Sequence, residues 1–127
     1  MQTFLPYPNY IRSVQCLDYK RLGKQRLEAK QIIDILEGKP SRYKNHPAIK
    51  MWDNYSNSLK YYTNCCIDEW IKRGYKNTME KYPVDHQNVD PWYIGNEDFH
   101  RAMRARLIEK DKEFYGPKFP GDEGFNK

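Results

Sequence analysis

Between Leu17 and Leu36 the chain reads LDYKRLGKQRLEAKQIIDIL, with apolar residues at Leu22, Ala29, Ile32, Ile33 and Leu36. Steps of three, four and seven fit an α-helix with one buried face and fit no strand. Asp18 is placed to cap this helix and Gly38-Lys39-Pro40 to stop it. Gly23 interrupts it at a cost of about 1 kcal/mol relative to Ala. It either admits another backbone or is a tolerated blemish. The same stretch crowds Lys20, Arg21, Lys24, Arg26 and Lys30 together, with Glu28 alone among them.

Two further helices follow from the same logic. KNHPAIKMW offers Asn45 or His46 as cap and Pro47 in the first turn. Downstream, Trp52, Tyr55, Leu59, Tyr62, Cys66 and Trp70 step by three or four, which predicts one long helix ending at Gly74. GNEDFHRAMRARLIEKD has Asn96 as cap and Phe99, Met103 and Leu107 as a buried stripe. Residues 1–16, with Pro6 and Pro8, read as an extended anchored arm, and residues 76–95 as loop. The tail YGPKFPGDEGFNK is turn-rich and expected to pack through Phe114, Tyr115 and Phe119. No segment alternates as a strand. The expectation is an all-α fold, residues 1–127 forming one domain of three principal helices with an N-terminal arm and an aromatic-rich tail.

Composition narrows the partners. Lys and Arg outnumber Asp and Glu by 22 to 17, a formal charge of +5, which favours an anionic partner such as nucleic acid or simply keeps the chain soluble. The cysteines Cys16, Cys65 and Cys66 are odd in number and suggest a reduced intracellular protein: cytoplasmic, nuclear or virion-associated, and not secreted. No apolar run is long enough to cross a membrane. His46, His86 and His100 are scattered without zinc-site spacing, so neither a metal nor a cofactor is expected, and no phosphate-binding glycine loop appears. His46 beside Pro47 reads as a helix cap or a site-lining residue.

Chemistry concentrates on the first helix. Arg21, Gln25 and Glu28 fall along one face, with Lys24 one turn before Glu28. A surface pair of Lys24 with Glu28 is the plain reading, worth a few tenths of a kcal/mol. The surplus of cations over one carboxylate exceeds what pairing needs, and Arg, Gln and Lys suit phosphates and base edges. Arg101, Arg104 and Arg106 read most simply as a solvated face, with phosphate contact as the alternative. The aromatic pair in PWYIG, residues 91–95, is suited to wedging into a duplex or, more plainly, to packing over the helices.

An N-terminal arm entering LDYKRLGKQRLEAKQIIDILEG, then YKNHPAIKMW, CIDEWIKRGYKNT and PWYIGNEDFHRAMRARLIEKDKEFYGPKFP, resembles the phage-type endonuclease V group of pyrimidine-dimer DNA glycosylases. Similarity is greatest to that group's uncharacterised bacterial and viral relatives. The resemblance implies a compact helical fold, a monomer acting on duplex DNA, nucleotide flipping and no metal. It also implies that the chain's own α-amine attacks the sugar carbon bearing the damaged base, forming an imine whose β-elimination nicks the strand. α-Amines as a class titrate near pH 8 and so supply a neutral nucleophile. Carried onto this sequence, Glu28 is the carboxylate that stabilises the sugar cation and moves protons, and Arg21, Lys24, Gln25, Arg26 and His46 contact DNA. The characterised members expose a Thr amine after losing the initiator Met, whereas this chain begins Met1-Gln2-Thr3. The reacting amine is therefore expected on Met1, with Lys20 or Lys24 as substitutes only if burial or crowding lowers their pKa. The alternative is a non-catalytic nucleic-acid-binding or DNA-packaging protein on the same scaffold. An RNA-directed or protein-interaction module is a third reading.

Overall fold

The computed structural model describes residues 1–85 and 89–126 and contains no strand among them. Among the described residues six helices follow one another: α1 (Tyr10–Gln15), α2 (Tyr19–Leu36), α3 (Pro47–Met51), α4 (Ser56–Lys72), α5 (Glu97–Lys110) and α6 (Lys112–Tyr115). Three are long. They build a compact all-α fold in which α2 and α4 form the principal packed pair.

The first long helix forms where the sequence places it. Asp18 accepts the amide of Arg21 at its start, and Leu22, Gln25, Ala29, Ile32 and Ile33 are buried along one face. Against them α4 lays Leu59, Tyr62 and Cys66, and α5 contributes Met103 and Leu107 to the same core. Each such aliphatic side chain, fully buried, contributes about 1.5–3 kcal/mol relative to exposure. Gly23 has a definite job: a Cβ there would lie 2.9 Å from the Trp70 ring. What comes close is therefore an indole from α4 and not a backbone.

Three local expectations are corrected. The arm is extended only as far as Asn9, whose side chain accepts the Arg12 amide at 2.9 Å and starts α1. Both prolines lie before that cap, and Tyr10 and Val14, one turn apart, carry the helix into the core. The long second helix is two helices. The chain turns at Trp52–Tyr55, with Asn54 at φ 69°, a left-handed conformation that Asn tolerates better than most residues. Trp52 is completely buried in this turn, and α4 begins only at Ser56. In the tail, Tyr115 and Phe119 are buried with stacked rings 6.0 Å apart, but Phe114 is exposed.

The third long helix agrees with its sequence: Asn96 caps it by accepting the Phe99 amide at 3.3 Å, and Met103 and Leu107 are buried. All three cysteines are free. Among the described residues no helix is long and apolar enough to cross a membrane.

Candidate active site

The first residues of the chain lie along α2 and are fixed by side chains from four elements. The Gln2 amide donates to Glu28 Oε2 at 2.8 Å. Gln25, only 2% exposed, donates through Nε2 to the Gln2 carbonyl at 2.7 Å and accepts the Phe4 amide on Oε1 at 3.0 Å. The Tyr62 hydroxyl lies 2.7 Å from Gln25 Oε1 and 2.8 Å from the Phe4 carbonyl, sharing its proton between them. Trp52 Nε1 donates to Thr3 Oγ1 at 3.0 Å. Farther along, His100 Nδ1 is 2.8 Å from the Leu5 carbonyl, and its Nε2 accepts the Gly95 amide at 2.9 Å. An N–H pointing at Nε2 puts the ring proton on Nδ1, which donates to Leu5. Arg104 Nη1 donates to the Pro6 carbonyl at 2.9 Å. Buried backbone groups need such partners, and here they fix the start of the chain beside Glu28.

Charge is arranged around that point. The Glu28 side chain is 14% exposed, and its Oε1 faces Lys24 Nζ at 3.6 Å, while Lys24 itself is 75% exposed. A furrow of about 370 Å³ opens here between Met1, Lys20, Arg21, Lys24, Glu28 and Lys110. Among the neighbouring hollows that also contain Met1 are two with further candidate site residues. One adds His46, Met51 and Arg106, and the other adds Leu27, Gln31 and Tyr43. Glu28 lines the furrow and the second of these hollows and is the one acid among the described residues lining the three spaces; Lys20, Arg21, Lys24, Arg106 and Lys110 are the cations. A low-dielectric wall with one sign of charge focuses the field on an anion.

Arg21 lines the furrow but is held by Asp18, Nη1 to Oδ1 at 3.2 Å. Burial works against the Asp18 carboxylate, yet bonds from the Tyr115 hydroxyl and Arg21 outweigh it and hold its pKa below the ordinary value. His46 caps α3, accepting the Ala48 amide on Nδ1 at 3.0 Å, and also lines two of the hollows. Gln25 is present but spent: its amide atoms are occupied by the arm. Arg26 is turned to another face, 4.3 Å from the Trp70 ring centroid, with Nη1 donating to Asn77 at 2.8 Å. Glu28, Met1, Lys24, Arg21 and His46 are thus brought together, whereas Arg26 is not. His86 lies outside the described residues.

Other residues take roles the sequence did not show. Arg101 and Arg104 are not a solvated face, since both guanidinium groups hold Asp122, at 2.9 and 2.7 Å. Lys110 on α5 reaches the furrow instead, and Arg106, one turn before it, lines the neighbouring hollow with Met1 and His46; no local pattern on α2 could announce them. A separate hollow of about 490 Å³ between α1 and α4 contains Cys65. Burial pushes that thiol up to about 11, as it does Cys16, so neither is a thiolate nucleophile at neutral pH. Among the described residues no group of three or more His, Cys, Asp or Glu is gathered as a metal site.

Fold and furrow define a helical protein that presents one carboxylate among cations at the beginning of its own chain. Residues 1–83 of the 127 match the pyrimidine dimer DNA glycosylase family, and the chain belongs to that family of DNA-repair glycosylases. The matched span includes the arm, α2, α3 and α4, and stops before PWYIG and α5. No curated protein matches the chain, and no solved structure does.

Proposed function

We propose that the protein excises a damaged base of the pyrimidine-dimer type from duplex DNA and then nicks the strand, with the Met1 α-amine as nucleophile and Glu28 as its acid–base partner. The observation that carries this reading is the 2.8 Å bond from the Gln2 amide to Glu28 Oε2, which holds Met1 one peptide unit from the carboxylate. Lys20, Lys24 and Lys110 in the furrow and Arg106 in the hollow beside it supply contacts for phosphates.

In its neutral form the amine attacks C1′ of an extruded nucleotide. The base departs with the glycosidic electron pair and takes up a proton. The sugar opens at C1′–O4′, leaving an iminium double bond between C1′ and the nitrogen. Loss of a C2′ proton expels the 3′ phosphate with the C3′–O3′ electrons, and water hydrolyses the imine to restore the amine. Glu28 offsets the positive charge on the sugar and moves protons, roles worth about 10²–10⁴ in rate for a positioned acid or base. Gln25 acts indirectly, by holding the arm.

One observation favours the alternative of a DNA-binding protein without catalysis: both Glu28 oxygens already face a partner, Gln2 on one side and Lys24 on the other. Borohydride trapping separates the two. On abasic-site and ultraviolet-irradiated duplexes, a covalent adduct mapping to the N-terminal nitrogen is the expected result, with intact mass establishing which residue carries that nitrogen. Salt-sensitive binding with no adduct and no nick overturns the catalytic reading, and an adduct on Lys20 or Lys24 reassigns the nucleophile.

A further inference from the structure

The aromatic pair of PWYIG is divided by the fold. Tyr93 is buried, its ring 4.5 Å from that of Phe99 and edge-on to Trp52, and its hydroxyl donates to the Met51 carbonyl at 2.9 Å. Trp92 is 79% exposed, with Val89 at 70% three residues before it; among the described residues no large hydrophobic side chain is more exposed than these two. Among the described residues the indole has a single ring neighbour, the Tyr93 ring, edge-on at 5.7 Å.

The backbone that carries this indole is nevertheless fixed. Before it, Asp90 Oδ1 accepts the Ser58 hydroxyl at 2.6 Å and the Tyr10 hydroxyl at 3.1 Å. After it, Ile94 N donates to the Pro91 carbonyl at 3.1 Å and Gly95 N to His100 Nε2 at 2.9 Å. Anchors to α1, α4 and α5 therefore flank a side chain that buries little of itself. A rigid aromatic held into solvent loses little freedom when it stacks on a partner. The stalk also adjoins a hollow beside the furrow: Met51, which takes the Tyr93 hydroxyl, lines that hollow with Met1, His46 and Arg106.

We propose that Trp92 stacks within the opened duplex beside the extruded nucleotide and keeps the gap from closing. The inference rests on the DNA reading given above. It adds a positioning residue that lies beyond the span matched to the family. Taking a nucleotide out of a duplex costs unstacking and unpairing, and apolar wedges are one way proteins hold a separated base step.

The test compares the full-length protein with Trp92→Ala and Trp92→Phe on DNA carrying a tetrahydrofuran abasic analogue, which cannot form an imine. Trp92→Ala is expected to bind the duplex about tenfold more weakly, the loss of one aromatic–base stack. On single-stranded DNA with the same analogue, where there is no gap to hold, it is expected to bind like the wild type. Trp92→Phe restores most of the duplex affinity, and indole fluorescence of the wild type is quenched by duplex but not in the Phe variant's remaining tryptophans. Equal affinity of wild type and Trp92→Ala for the duplex, or equal losses on both DNAs, overturns the proposal. An absent borohydride adduct combined with a duplex-selective loss in Trp92→Ala sinks the catalytic reading alone. An adduct combined with an unchanged Trp92→Ala sinks this one alone.

Discussion

Replacing Gln25 with Met keeps the side chain's volume and removes every hydrogen bond it makes to the arm. The Tyr62 hydroxyl keeps the Phe4 carbonyl at 2.8 Å, so two backbone groups are orphaned: the Phe4 amide and the Gln2 carbonyl. Phe4 is buried and Gln2 half-buried. A buried unsatisfied group costs about 1–3 kcal/mol and a lost bond that water can partly replace about 0.5–1.5. Against this stands a gain of about 1 kcal/mol from the more apolar side chain. The net destabilisation is therefore about 1–3 kcal/mol in urea unfolding near neutral pH, with an unchanged denaturant slope. Native-state hydrogen exchange should show the Phe4 amide losing its protection. A loss below about 0.5 kcal/mol with the Phe4 amide as protected as in the wild type refutes the claim that Gln25 holds the arm.

Three other perturbations test separate parts of the account. Gly23→Ala places a methyl 2.9 Å from the Trp70 ring, which Arg26 at 4.3 Å and Tyr75 at 4.4 Å keep from moving freely. Overpacking of about 1–3 kcal/mol should exceed the propensity gain of about 1, so a rise in melting temperature contradicts this packing. Burial holds the His100 pKa below its ordinary 6.5. The unfolded ring thus protonates first, and the stability contribution, complete above about pH 6.5, declines as pH falls until the folded ring titrates. Between about pH 7.5 and 5.5 the wild type should lose more of its urea midpoint than His100→Gln, and equal losses contradict the assignment. Lys20→Ala and Lys110→Ala should each weaken DNA binding uniformly across sequences and lower the salt slope by about one. An unchanged slope means the phosphates pass elsewhere.

Much of the scaffold was legible because α2 and α5 carry periodic apolar faces with cap residues at their starts. The break at Trp52–Tyr55 was hidden because Trp52, Tyr55 and Leu59 keep helical spacing across it, and periodicity cannot see a turn that preserves the period. The helix α1 was masked by the prolines just ahead of its Asn9 cap. In the site, Glu28 stood out as the lone acid among cations. Gln25 was read as a DNA contact, although it sits in register with Leu22, Ala29 and Ile32 on the buried face. A polar residue at an apolar position was the available signal of an internal hydrogen-bonding role. His100 carries the same signal on α5, where it shares the buried face with Met103 and Leu107. Lys110 reaches the furrow, and Arg106 the hollow beside it, only through the tertiary packing of α5, which no pattern within α2 encodes.

The most direct measurement pairs DNA affinity with single-turnover strand cleavage for Glu28→Gln on an abasic duplex. The new side-chain oxygen can still accept the Gln2 amide, so the arm stays in place and one negative charge leaves the furrow. Affinity should equal or modestly exceed that of the wild type, while cleavage falls by about 10²–10⁴. Cleavage at the wild-type rate, or binding and cleavage falling together, would contradict a catalytic centre formed by the beginning of the chain and this carboxylate.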